Sequence, residues 1–370
     1  MLSGEAPWAK LSELFRGLYG DVQTGAGKKV ESKFSYIGLG PTIAWVNACN
    51  DLYYPVMHDG IEAFPRLWRP VLEVVGTTPY HFVSLGVGTG QKDRVLLGDL
   101  TERRSDLLYV PVDLSSEMLH VGTAETRRAR SDRFLLPVQL DFSHQDNLTE
   151  LRSLLVRLVG DDPVMYGLLG NTVANSDDDV ELLSAVADVL RPQDRLLLEV
   201  ATTNTLDETA AKRASEEYAN SEAYRYYALS ALDQNTDLTT NTRSMTFAAA
   251  PEGDRALRIE AYYQNQTGRD VSMRLPNRAH VDFADGDNIR VTLSRKYSAS
   301  GLDGLLAAAG LTRLNDRGQP APPRRSTTRF GVELMLLARQ AQEPEPSSTA
   351  AADIWRKAAG GADTVAGKRR

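Results

Sequence analysis

The segment His81-Phe82-Val83-Ser84-Leu85-Gly86-Val87-Gly88-Thr89-Gly90-Gln91-Lys92 runs a buried-strand pattern into three alternate glycines and then into a helix-compatible stretch. Such a chain must turn sharply at the end of a strand, with no Cβ atoms to fill the turn, so that backbone is left open to a ligand. Further on, Leu107 to Val112 repeats the apolar pattern and closes with Asp113; a third run, Leu135 to Leu140, ends in Asp141-Phe142. In an open α/β sheet an acid at the second strand tip is placed to accept hydrogen bonds from both ribose hydroxyls of a nucleotide. At the third tip an acid can take an adenine amino hydrogen while a neighbouring ring lies against the base. The glycine turn alone would be explained by a need for positive φ; with both acids in register it reads as a nucleotide site.

The glycine spacing indicates which nucleotide. A dinucleotide fingerprint has Gly-x-Gly-x-x-Gly, so that a helix N-terminus meets a pyrophosphate. Here the third glycine comes one residue early, as Gly86-x-Gly88-x-Gly90. That tighter turn suits an amino-acid tail and a sulfonium, with no diphosphate to neutralise, and points to S-adenosylmethionine. The net charge of −7 and the absence of a basic stripe exclude a nucleic-acid partner and favour a small-molecule substrate. Cys49 is the only cysteine and the five histidines are scattered, so no disulfide and no metal site is expected. No apolar run is long enough to cross a bilayer and no signal pattern opens the chain, which reads as cytoplasmic.

Alternation of strand and helix patterns dominates residues 79–200, with strands expected near 81–85, 107–112, 134–140, 164–169 and 194–200. This predicts an α/β fold, a Rossmann-like doubly wound parallel sheet with its ligand edge at the strand C-terminal tips. Residues 1–78 are helical in pattern and read as part of a cap, not of the sheet. Residues 201–297 read as an inserted α+β lobe facing the substrate, with one long helix or two short ones over 206–232 and period-two strands at 257–262 and 289–294. Residues 298–339 then return a helix and a strand to the core, and 340–370 has the composition of a disordered tail. Gly38-Leu39-Gly40-Pro41 imitates a second cofactor turn, but no acid-tipped strand follows it, so a plain connection is expected.

These residues carry a family resemblance. The series Gly86-x-Gly88-Thr89-Gly90-x-Lys92, Val110-Pro111-Val112-Asp113-Leu114-Ser115, Asp141-Phe142 and Leu169-Gly170-Asn171-Thr172-Val173-Ala174-Asn175 resembles the histidine-specific N-α-methyltransferases of the ergothioneine pathway and their relatives. The resemblance covers roughly Tyr53 to Ala338 and implies a class I methyltransferase core. It places the cofactor on Gly86, Gly88, Gly90, Lys92, Asp113, Asp141, Phe142 and Asn171. For the substrate it implies Asn175 and Tyr218 as the groups that orient the reacting amine, with Tyr53 and Tyr54 at the pocket entrance. Both asparagines also suit helix capping, and a helical tyrosine suits a core position.

The late strands depart from the family. Histidine readers carry an acid two residues before a serine, whereas this chain has Thr292-Leu293-Ser294. Ala261, two strands earlier, stands where a larger apolar residue is expected. A neutral hydroxyl cannot pair with a protonated imidazole, so Ala261, Thr292 and Ser294 imply a roomier, less polar pocket and a substrate other than histidine. Methyl transfer to an amine is the first expectation. Carboxyl O-methylation or aminocarboxypropyl transfer would use the same cofactor site, and a catalytically silent S-adenosylmethionine-binding partner protein is the alternative from another class.

Overall fold

The computed structural model describes residues 7–20, 27–128, 134–315, 318–321 and 328–340. The expected disordered tail lies outside the described residues, save Gln340. Five parallel strands form the core: β2 (His81–Leu85), β3 (Tyr109–Asp113), β4 (Val138–Gln139), β5 (Val164–Leu168) and β6 (Arg195–Thr203), in the order β4-β3-β2-β5-β6. Strands β2, β3 and β5 are buried at every position. Unbroken apolar runs, not alternating ones, are what a parallel sheet covered on both faces requires. The third predicted strand is shorter than expected, because Pro137 lacks the N–H that would continue the ladder; before it only a single bridge, Leu135 to Tyr109, survives.

Helices α4 (Gln91–Arg103), α5 (Ser116–Arg127), α6 (Gln145–Val159) and α7 (Asp179–Val189) make the crossovers. Ser115 and Asp178 cap α5 and α7 by accepting from the N–H groups of Met118 and Glu181, which sets where each helix leaves the ligand edge. After α10 (Ala299–Ala308) the chain returns as β12 (Leu311–Arg313) and β13 (Phe330–Arg339), β13 lying antiparallel to β6 from Phe330–Thr203 to Leu337–Leu196.

The lobe extends this sheet. Strands β7 (Met245–Glu252), β8 (Ala256–Gln264) and β11 (Asn288–Tyr297) pair antiparallel, and β11 joins β6 in parallel at Tyr297–Thr202. The mixed sheet therefore runs unbroken from the cofactor strands into the substrate lobe. A separate hairpin, β9 (Val271–Arg274) with β10 (His280–Phe283), completes the lobe strands. The tyrosine-rich stretch forms two helices, α8 (Glu208–Ala219) and α9 (Glu222–Asn235), broken where Ser221 caps α9.

The N-terminal segment is not wholly helical. Besides α1 (Pro7–Tyr19), a 3-10 turn over Ser32–Tyr36, α2 (Leu39–Cys49) and α3 (Pro55–Val75), it contributes β1 (Lys28–Lys29), which pairs in parallel with β11 at Ile289 and Arg290. Gly38 stands at the N-cap of α2 with φ +100°, so the Gly38-Leu39-Gly40-Pro41 motif is a connecting turn. None of the described helices is long and apolar enough to cross a membrane.

Gly122 on α5 lets that helix press on the glycine turn: a Cβ there would lie 2.7 Å from Val87 Cγ2 and 2.8 Å from the Gly88 carbonyl oxygen. In an open helix Gly→Ala gains roughly 1 kcal/mol. Here the sign reverses, and Gly122→Ala should destabilise by about 1–3 kcal/mol through overpacking against backbone. Urea denaturation showing equal or greater stability would contradict this packing.

Candidate active site

The tips of β2, β3 and β4 and the turn after β5 surround a cavity of about 450 Å³. Gly86, Gly88, Gly90, Lys92, Asp113, Asp141 and Phe142 all line it. The three glycines have φ of +77°, +53° and +73°, left-handed conformations that β-carbons would strain. The Phe142 ring sits close over Gly86, 3.5 Å from where a Cβ would be. Asp113 is 7% exposed and accepts from the N–H groups of Gly88 (3.3 Å) and Ser115 (3.0 Å). Burial pushes its carboxyl up to about 6, against the pull of those backbone donors. Burial also works against the charge of Asp141, but Lys33 at 3.1 Å and the two Ser143 donors outweigh it and hold that carboxyl below its ordinary value. Glu13, Asp141 and His144 bring ligand-type atoms within 4.8 Å of one another, and the Lys33 ammonium, 2.5 Å from Glu13, supplies positive charge there.

A second, inner cavity of about 20 Å³ opens behind the first. Ser32, Tyr36, Trp45, Met57, Gly170 and Asn175 line both spaces and form the neck between them. Tyr54, Tyr218, Thr292 and Ser294 line the inner space, as do Tyr224 and Tyr227. Tyr218 donates to Ser294 Oγ at 3.1 Å, Tyr224 donates to Thr292 Oγ1 at 2.9 Å, and the Tyr36 and Tyr227 hydroxyls bond each other. Burial raises the phenol pKa of all five tyrosines, so they stay neutral and none is a ready base.

Residues 20–317 match the family described as "Histidine-specific methyltransferase, SAM-dependent". The chain belongs to that family. It is similar to the histidine N-alpha-methyltransferase of Mycolicibacterium smegmatis, 26% identical over 301 residues that cover 80% of this chain and 89% of the relative. The enzyme of the same name from Mycobacterium tuberculosis is 27% identical over 235 residues, 63% of this chain and 69% of the relative. Among solved structures, an S-adenosylmethionine-dependent methyltransferase from Clostridium acetobutylicum is 13% identical with a TM-score of 0.40, covering 80% of this chain and 99% of that one.

In this S-adenosylmethionine-dependent methyltransferase several expected residues lie differently. Tyr53 is 71% exposed and outside both cavities, because the chain turns into α3 at Tyr54 and sends adjacent side chains opposite ways. Ala261 is buried in the lobe but lines neither cavity; it sits beside Thr292 and Phe247 in the strand register. The expected spare volume is absent, since Tyr224 reaches Thr292 and packs 6.3 Å from Phe247. Asn171 does not face the cofactor cavity. Its amide donates to Ser294 Oγ and the Arg295 carbonyl, and its oxygen accepts from the Ala201 N–H, so it joins three elements; it makes no capping bond. Lys92 lines the cofactor cavity but its ammonium is held by both oxygens of Glu199 at 2.7 Å, and Glu199 also accepts from the Gly170 N–H.

Sequence reading missed Lys33, Tyr36, Trp45, Tyr224 and Tyr227 as site residues. Tyr224 and Tyr227 fall in the helical stretch expected over 206–232, whereas the lone Trp45 in an apolar helix gave no signal.

The ribose hydroxyls of a bound cofactor would donate to the charged form of Asp113, so binding lowers its pKa and releases a proton at low pH. Cofactor affinity should therefore be level above pH 7 and fall by up to about tenfold per pH unit below about 6. Asp113→Asn should flatten that dependence and weaken binding by about 1.5–3 kcal/mol at pH 8. Calorimetry between pH 4.5 and 8 that finds the same slope in both proteins would remove Asp113 from the ribose site.

Proposed function

We propose that the enzyme transfers the methyl group to the amine nitrogen of an amino acid or related small amine other than histidine. The observation that carries this reading is the neck: the Asn175 amide stands between the two cavities with no hydrogen-bond partner among the described residues, above an inner wall of neutral tyrosines, serine and threonine. The Tyr54 hydroxyl faces the same space, likewise without a partner among those residues. Together they could orient an amine so that its lone pair meets the methyl carbon in line. Holding the two reactants in that geometry lowers the barrier by several kcal/mol.

An ammonium has no lone pair, and no carboxylate, histidine or lysine lines the inner cavity among the described residues. The amine must therefore arrive neutral or lose its proton to water as it binds. The same neutral wall disfavours histidine. Thr292 stands where the family resemblance implies an acid, and its hydroxyl is already engaged by Tyr224. A protonated ring would lose its water contacts without gaining a charged partner.

An inner space of about 20 Å³ holds little more than one water. Substrate side chains that pass the neck must then be small or must displace Tyr224. Two outcomes are expected. In a mass-spectrometric screen of amino acids and amines with labelled cofactor, an amine with an uncharged side chain should give the highest kcat/KM, rising with pH as the amine deprotonates; histidine ranking first would refute the reading. Tyr224→Ala should shift preference toward bulkier amines by about tenfold, the size expected from burying one or two more methylenes, and unchanged rank order would show that Tyr224 does not bound the pocket.

A further inference from the structure

We propose that Trp45 binds the carboxylate of the cofactor's methionine moiety through its indole N–H. Trp45 lies on α2, is 8% exposed and forms part of the neck. Its Nε1 points at the glycine turn, 3.9 Å from where a Cβ of Gly88 would be. Tyr36 and Tyr227 hold the ring, with centroids at 5.2 and 4.7 Å, so the direction of the N–H is set by packing and not by a ligand.

A buried indole N–H usually has an acceptor. Trp68 obeys this, donating to Asp99 at 2.8 Å. Trp45 has no hydrogen-bond partner among the described residues and its nitrogen faces the cavity. Two other donors near this end are engaged: the Gly88 N–H is turned to Asp113, and the Lys92 ammonium is held by both oxygens of Glu199. The amino-acid end of the cofactor carries a carboxylate that needs a donor when water is displaced. The Trp45 N–H, aimed at the glycine turn, is placed to supply it. The substrate's own carboxylate is the other acceptor that could reach the neck, and ligand binding without substrate separates the two.

The test is calorimetry of S-adenosylhomocysteine and its decarboxylated analogue, without substrate, on the wild-type protein and on Trp45→Phe, which keeps an aromatic ring and removes the donor. The variant should bind S-adenosylhomocysteine about tenfold more weakly, as for a lost hydrogen bond to a charged acceptor, and bind the decarboxylated analogue as the wild type does. Equal loss for both ligands, or no loss for either, overturns the proposal, as does a change confined to the KM of the amine substrate. If the variant does not fold, the wild-type protein still decides: one indole N–H resonance should move downfield with S-adenosylhomocysteine and not with the analogue, and the absence of such a shift overturns the assignment.

Discussion

The turn from Leu169 to Asn175 is held from beneath by two buried side chains that both refer it to β6. Glu199, on that strand, accepts from the Gly170 N–H; Asn171 accepts from the Ala201 N–H on the same strand and reaches over to Ser294 and Arg295 on β11. Asn171 takes φ +63°, a left-handed conformation that a side chain normally resists. Its three hydrogen bonds to buried groups offset that cost. Because the turn is fixed, Asn175 is fixed at the neck. Because Ser294 is fixed, so is the Tyr218 hydroxyl that donates to it. One joint thus sets the distance between the neck and the inner wall.

Lys92 and Glu199 show how a buried ion pair can serve position more than stability. Taking both charges out of water is costly and the attraction roughly repays it. What the pair supplies here is direction, since the carboxylate that holds the ammonium also holds the Gly170 N–H. Losing either partner would leave the other charged and unpaired beneath the neck. The pair therefore constrains α4, β6 and the turn at once.

Much of the outer cavity's edge was legible in the sequence because it is written locally: a strand, its tip and the following turn are contiguous, and each acid follows an apolar run. The parallel core and the return of β13 followed from the same periodicity. What was not legible depends on long-range pairing or on one residue of phase. Lys92 was read as a cofactor residue, and its bond to Glu199 could not be foreseen because Glu199 lies far along the chain. Asn171 looked like a cofactor ligand or a cap because its partners sit on two other strands. Tyr53 and Tyr54 differ only in which side of a helix entry they occupy, and the turn into α3 buries the second and exposes the first. Ala261 and Thr292 suggested an emptied pocket, but composition at two strand positions cannot report that a tyrosine from α9 fills the space above them. β1 was missed because two lysines carry no strand pattern and pair only by virtue of β11.

The two cavities divide the electrostatics of the reaction. The outer one is lined by Asp113, which accepts from the Gly88 and Ser115 N–H groups, and by Asp141, which is paired with Lys33. The inner one is neutral and aromatic, with most of its hydroxyls already spent on one another. A sulfonium at the neck would lose positive charge as the methyl group moves, so a charged inner wall would stabilise one side of the reaction at the expense of the other. A neutral wall of ring faces favours cations weakly and evenly, which suits the proposed reaction, in which positive charge would pass from sulfur to nitrogen across the neck. On the proposed reading the chemistry rests on alignment at Asn175 and on exclusion of water by the tyrosines, and the rigidity of the Asn171 joint is what would make alignment available.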